Sequence, residues 1–280
     1  LEVNLVLRLT SQYENKVFEN RRYKINEKLQ KAIRNTSSGI KVHSSADDPA
    51  GLAISETTRA QIRGLGQSQR NIQDSMSLLK TAEDGLMKTN EDVQRLYELS
   101  LSALNDTMND KSREEAQVEV NQLLSSIEQT ANSVQFNTSN LLSKGLDAKK
   151  IKIQLGSGAN ESMTVELMDI TLQKLGLSNA SIEPRENANK LLNTTKDVIT
   201  TITGHLTRIG SQYSALEKNM ENSLTLQNNL TTIESNIRDS NIGKEVIELA
   251  IDKILSEVNL SLHNYTDDQK QNFEKILFEK

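Results

Sequence analysis

The sequence predicts a mostly α protein: a long antiparallel helical bundle of coiled-coil type carrying one small β-hairpin. Three observations lead there. Leu65, Ile72, Leu79, Leu86 and Val93 recur at intervals of seven, with Ala82, Leu96 and Ala103 on the neighbouring row. A second 3,4 repeat runs through Leu192, Ile199, Leu206, Tyr213 and Met220, alternating with Thr195, Ile202, Ile209, Leu216 and Ser223. A two-row apolar stripe is stable in water only when another helix covers it, so the chain is expected to fold back and pair the two repeats. The third observation is composition. Only 3% of residues are aromatic, with 2 Pro and no Trp, against 35% hydrophobic. That profile suits a thin core of Leu and Ile better than a broad enzyme core.

The elements follow in order. Residues 1–36 place Val17, Phe18, Ile25, Leu29 and Ile33 at helical spacing, a weakly amphipathic helix that Thr36-Ser37-Ser38-Gly39 is expected to break. The stretch to Asp48 reads as loop. Asp48 then supplies an N-cap and Pro49 the first helical position, where its missing N–H costs nothing, and the helical pattern runs to about Asn105. Ser112 with Glu115 predicts a capping box for the next helix, whose apolar face is Ala116, Val120, Leu123, Ile127, Ala131 and Val134. Gln135-Phe136-Asn137 ends it.

Over 149–170 the period falls to 2. Ile151, Ile153 and Leu155, a turn at 156–160, then Met163, Val165 and Leu167 predict a β-hairpin with one apolar face. A long helix is expected from near Pro184 to about Arg238. At about 1.5 Å rise per residue, it and the helix from Asp48 would each be about 80 Å long, which favours an antiparallel pair. After Gly243, a further amphipathic segment bears Val246, Ile247, Ala250, Ile254 and Val258. Thr266 with Gln269 predicts the cap of a last short helix bearing Phe273, Ile276 and Leu277. The resulting organisation is an N-terminal segment 1–44, a rod portion 45–180 with the hairpin, a long helix 181–240 and a C-terminal segment 241–280.

Other functions find little support in the residues. The net charge of −5 and a pI near 5.5 argue against nucleic acid, which requires clustered Lys and Arg. With no Cys there is neither a disulfide nor a thiolate metal site. The 3 His (His43, His205 and His263) stand apart, with no second ligand at helical spacing. No apolar run reaches membrane-spanning length, and the N-terminus lacks the pattern of a cleavable signal. Asp47-Asp48 is a tight carboxylate pair, but helix capping before Pro49 accounts for it. There is no phosphate-binding glycine loop, zinc-protease helix or nucleophile elbow. No catalytic, cofactor or metal residue is expected, and the chain is not expected to be an enzyme.

The ordered motifs carry a resemblance. Ser37-Ser38-Gly39-Ile40-Lys41-Val42, Ala46-Asp47-Asp48-Pro49-Ala50-Gly51-Leu52-Ala53-Ile54-Ser55, Gln61-Ile62-Arg63-Gly64-Leu65 and Arg70-Asn71-Ile72-Gln73-Asp74 follow one another. Thr81-Ala82-Glu83, Gln94-Arg95-Leu96-Tyr97-Glu98-Leu99 and Gln135-Phe136-Asn137 continue them, and Glu234-Ser235-Asn236-Ile237-Arg238-Asp239 with Lys244-Glu245 stands near the other end. Together these resemble bacterial flagellin over roughly 37–142 and 186–256. The Ala50–Ser55 and Gln61–Leu65 runs and the Ser-x-Ile-Arg-Asp motif resemble filament flagellin more than its relative, the hook–filament junction protein.

The resemblance implies a minimal flagellin without outer variable domains, exported to the bacterial flagellum without a cleaved signal, whose subunits polymerise into the filament. It implies that the terminal helices form an inner tube, with the paired long helices and hairpin around it. Terminal assembly residues would be Val246, Ala250, Ile254, Phe273, Ile276 and Leu277. Implied partners are further copies of the chain, an export chaperone at the C-terminal helices, the filament cap and hook-junction proteins, and Toll-like receptor 5. Arg95, Leu99 and Glu119 match the receptor-contacting pattern, while Tyr97 departs from it. The charged ends depart too, at Arg21, Arg22, Lys24, Glu27 and Lys28 and at Asp267, Asp268, Lys270, Glu274, Lys275, Glu279 and Lys280. Flagellin tails are usually Ala- and Gln-rich. A specialised minor flagellin, and a coiled-coil adaptor that never polymerises, are the competing expectations.

Overall fold

The computed structural model describes residues 2–143 and 150–278, apart from the side chains of 2–11, 273, 274 and 276–278. In chain order the elements are α1 (Glu2–Ser38), α2 (Pro49–Ala103), α3 (Asp110–Ser133), β1 (Gln135–Phe136), β2 (Ser139–Asn140), β3 (Lys150–Gln154), β4 (Ser162–Glu166), α4 (Leu172–Leu175), α5 (Arg185–Arg238) and α6 (Ile242–Phe278). They gather into two compact units, Leu1–Arg59 with Thr231–Lys280 and Ala60–Leu230.

In the unit Ala60–Leu230, α2 and α5 run antiparallel. Gln69 donates from Nε2 to Ser223 Oγ at 3.3 Å and to Gln227 Oε1 at 2.7 Å. The heptad row of α2 lies at the centre, with Ile72, Leu79, Leu86 and Val93 fully buried and Leu65 nearly so. On α5 the row Thr195, Ile202, Ile209, Leu216 and Ser223 is buried, while Leu192, Ile199, Leu206 and Tyr213 are half-buried along its margin. Hydroxyls inside the seam are satisfied locally: Thr89 and Thr195 donate to the Gly85 and Leu191 carbonyls four residues back. Such back-bonding lets a small polar side chain sit in a core without an orphaned donor.

The rest of this unit closes over α2. Ser126 of α3 donates to Asp92 of α2 at 2.9 Å. Gly85 explains an otherwise unfavourable glycine in mid-helix: a Cβ there would lie 2.7 Å from Leu142 Cδ1 and 2.9 Å from Val134 Cγ2. The β3–β4 hairpin pairs Ile151 with Val165 and Ile153 with Met163. Ile153 and Val165 are buried, as period-2 alternation requires of the covered face. Its turn rests on α2 at Gly64, where a Cβ would come within 2.8 Å of Ser157 Cβ.

The structure corrects several boundaries. Asn109, not Ser112, caps α3: its Oδ1 accepts the Ser112 amide at 2.7 Å, so Ser112 is already inside the helix. α1 runs on through Thr36 to Ser38 and stops where Gly39 turns to φ +71°. α6 is continuous across Thr266, whose hydroxyl donates to the Leu262 and His263 carbonyls of its own helix and therefore caps nothing. Asn241 is the cap instead, accepting the Lys244 amide at 3.2 Å. The sequence pattern also missed the β1–β2 turn, with Asn137 and Thr138 at positive φ. It missed α4, whose first amide, that of Leu172, is held by Glu128 Oε2.

Candidate assembly surface

In the unit Leu1–Arg59 with Thr231–Lys280, the motifs from the two ends of the sequence meet. The connection after α1 and the connection after α5 lie side by side as an antiparallel bridge between Ile40 and Asp239. The Lys41 amide donates to the Arg238 carbonyl at 2.7 Å, and the Ser240 amide to the Gly39 carbonyl at 2.8 Å. Side chains tighten this clasp. Lys41 reaches the Asn236 carbonyl, Arg238 pairs with Glu56 at 2.9 Å, and Arg59 reaches both Glu56 and Glu234. Glu245 accepts from Asn35 and from Ser240.

Asp47 and Asp48 serve this architecture. Asp48 caps α2 by accepting the Gly51 amide at 2.9 Å. Asp47 accepts the His43 and Ser44 amides and lies 3.7 Å from Lys31 and 3.5 Å from Arg34. Burial works to raise the Asp47 carboxyl, but those amides and cations outweigh it and hold it below its ordinary 3.8. The Arg238 and Arg59 guanidiniums likewise hold Glu56 below 4.5. A carboxylate depressed in the folded state stabilises it above the unfolded pKa and loses that effect as pH falls through the folded value. The clasp should therefore loosen as pH drops below about 4.5 and then below 3.8. Hydrogen exchange at the His43, Ser44 and Lys41 amides, corrected for intrinsic rate, should show protection falling in that window; constant protection would contradict it.

α1 and α6 pair antiparallel with an inverted polarity. The α6 positions turned toward α1 are Glu245, Leu249, Asp252, Ser256, Asn259, His263, Thr266 and Lys270, a 4,3 row in which only Leu249 is apolar. Glu245 meets Asn35, the His263 ring lies 5.2 Å from Phe18, and Lys270 meets Glu14 at 2.8 Å. The apolar row of α6 faces away. Ile247, Ile251, Ile254, Val258 and Tyr265 follow the same 4,3 spacing with Ser261 between the last two, and they remain 62%, 50%, 60%, 48% and 63% exposed. Val246 flanks this row and is exposed, as is Ala250. The sequence face drawn through Val246, Ile247, Ala250, Ile254 and Val258 takes in three members of this exposed row, with Val246 and Ala250 beside it. The side chains of Phe273, Ile276 and Leu277 lie outside the described ones.

In the unit Ala60–Leu230, Arg95 pairs with Glu119 at 2.7 Å and with Glu98 at 2.8 Å on an exposed surface. Both carboxylates raise the guanidinium's pKa further. Leu99, one turn on, is only 8% exposed and packs into the core. Among the described residues, no three His, Asp or Glu side chains gather as metal ligands, and no helix is long and apolar enough to cross a membrane.

A family model of the bacterial flagellin N-terminal helical region matches residues 11–146. A flagellin from Halalkalibacterium halodurans is 32% identical over 86% of this chain and 89% of its own length. The flagellar filament 30.7 kDa core protein of Treponema maltophilum is 30% identical over 90% of this chain and 93% of its own. Among solved structures, a Bacillus cereus flagellin superposes with a TM-score of 0.51 at 28% identity, covering 55% of this chain and 88% of that one. A putative flagellar hook-associated protein from Vibrio parahaemolyticus reaches 0.58 at 16% identity over 69% and 100%, a likeness of fold alone. These relatives do not favour a junction protein or a coiled-coil adaptor. With a helical fold, a clasp built from both end motifs and relatives matched along most of its length, the chain belongs to the flagellin family.

Proposed function

We infer that this chain is a structural subunit of the bacterial flagellar filament, and that its copies associate through the uncovered face of α6. The apolar row on α6 is the observation that carries the mechanism. A helix that turns its polar row inward and its Ile and Val outward gains little from its own chain and much from a neighbour. In the unit Ala60–Leu230, by contrast, the heptad rows of α2 and α5 are already covered within the chain. Concentrated protein, seeded with short filament fragments and viewed by negative-stain electron microscopy, should elongate into filaments. Protein that stays monomeric at every concentration and ionic strength would overturn this reading.

Finer features belong to the same proposal. The exposed α6 face is suited to an export chaperone before assembly, and the growing end to cap and hook-junction proteins. Export to the outside of the cell completes the route. Recognition by Toll-like receptor 5 would use the exposed Arg95–Glu119 pair. Leu99 would act from beneath it, so Leu99→Ala confounds recognition with packing. Arg95→Ala should lower receptor signalling by monomer at least tenfold while leaving thermal unfolding within about 0.5 kcal/mol, the usual range for a surface change. Unchanged signalling would remove the receptor from the list of partners.

A further inference from the structure

Charged side chains at the two ends follow their own spacing. Arg21, Lys24, Lys28 and Lys31 stand 3, 4 and 3 residues apart on α1, and all four are exposed. Glu245, Glu248 and Asp252 stand 3 and 4 apart on α6. The two stripes flank one groove of about 730 Å³, with Lys28 and Lys31 on one wall, Glu248 and Asp252 on the other, and Ile251 beside the acids. The stripes do not neutralise each other. Lys31 turns to Asp47 and Glu248 to Lys244 at 3.7 Å, and among the described residues no ion pair crosses between these walls. Glu14 with Lys270 is the described ion pair that does join α1 to α6, and it lies farther along the helices.

We propose that the acidic wall of α6, Glu248 and Asp252, receives the basic stripe of α1, Lys24 and Lys28, from a second copy of this chain. The inference rests on the filament reading and specifies the chemistry of its contact. Charge complementarity selects the occupant: the chain carries both halves of a matched pair, in similar 3,4 spacing, and leaves them unjoined within itself. Burying the neighbouring α6 apolar row against another subunit would bring these charges into a partly water-excluded contact, where an unpaired charge costs far more than a paired one. Opposite stripes thus fix which faces can meet, since like-charge juxtaposition is penalised.

Charge reversal tests it on the full-length chain. One variant carries Lys24→Glu and Lys28→Glu, a second Glu248→Lys and Asp252→Lys, and a third all four. Polymer would be measured by sedimentation and electron microscopy, with circular dichroism reporting helix content. Each two-site variant alone should lose at least 90% of its sedimentable polymer. Mixed in equal amounts they should co-polymerise, because each then supplies the sign the other lacks, and the four-site variant should polymerise by itself. Raising salt to 1 M, where the Debye length is about 3 Å, should raise the concentration the parent needs. If either two-site variant polymerises like the parent, or if neither mixing nor the four-site exchange restores polymer, the contact is wrong. A parent that makes no polymer would instead overturn the filament reading itself.

Discussion

Ile251→Asp combined with Ile254→Asp should abolish filament growth and leave the monomer's fold nearly untouched. Both side chains are at least half exposed, so the monomer loses almost no packing when they change. An exposed Ile-to-Asp exchange in a helix shifts stability by only a few tenths of a kcal/mol. Assembly is different. Burying the half of each Ile that the monomer leaves exposed is worth roughly 0.8–1.7 kcal/mol, and an Asp placed there must also be desolvated at about 1–3 kcal/mol. Two such sites remove at least about 3.5 kcal/mol per subunit, and each 1.4 kcal/mol is tenfold in concentration. The concentration needed for filament growth should rise more than a hundredfold, while the unfolding midpoint moves by less than about 2 °C. Growth at the parent's concentration would show that this face of α6 is not buried in the filament.

Leu79→Ala should have the opposite signature. Leu79 is fully buried in the α2–α5 seam, between Ile72 and Leu86 on the same row. Truncating it removes three carbons and leaves a cavity that a helical seam closes only in part, at a cost of about 3–5 kcal/mol. Denaturant unfolding should show a loss of this size with an unchanged slope, because the same surface is exposed on unfolding. Leu206→Ala, at the half-buried margin of α5, should cost about half as much or less. Equal losses at Leu79 and Leu206 would mean that the seam is not centred where the structure puts it.

These two outcomes separate what was legible in the sequence from what was not. The heptad rows on α2 and α5 could be read because a 3,4 repeat of Leu and Ile has one stable use in water. The hairpin could be read because Ile151–Leu155 and Met163–Leu167 alternate strictly. Which α5 row lies deepest could not, since Leu192–Tyr213 is the more apolar one and only the position of the partner helices decides that Thr195, Ile202 and Leu216 go under. α4 and the short β1–β2 turn escaped because two to four residues carry no period. Their locations depend on a distant carboxylate, Glu128, and on positive φ at Asn137 and Thr138. At the assembly surface, the meeting of the two ends followed from the family resemblance and not from the residues themselves: nothing local in Ile40 or Asp239 announces a bridge spanning 199 residues. The inverted polarity of α6 was hidden for a related reason. An apolar stripe reads as buried, and the sequence does not say whether its own chain or another does the burying.

The clasp also sets an order of events for the newly made chain. Residues 60–230 form a unit from one uninterrupted stretch, and its partners are at hand as soon as that stretch has emerged. The other unit is assembled from stretches on either side of that one, so the segment at 39–41 must wait for 238–240 before either has its hydrogen-bonding partner. Contacts that close so long a loop form late. α1 is therefore left without a companion until α6 has been made. A chain truncated before Arg238 would keep a folded 60–230 unit and an unpaired α1, so α6 acts as a completion signal for α1.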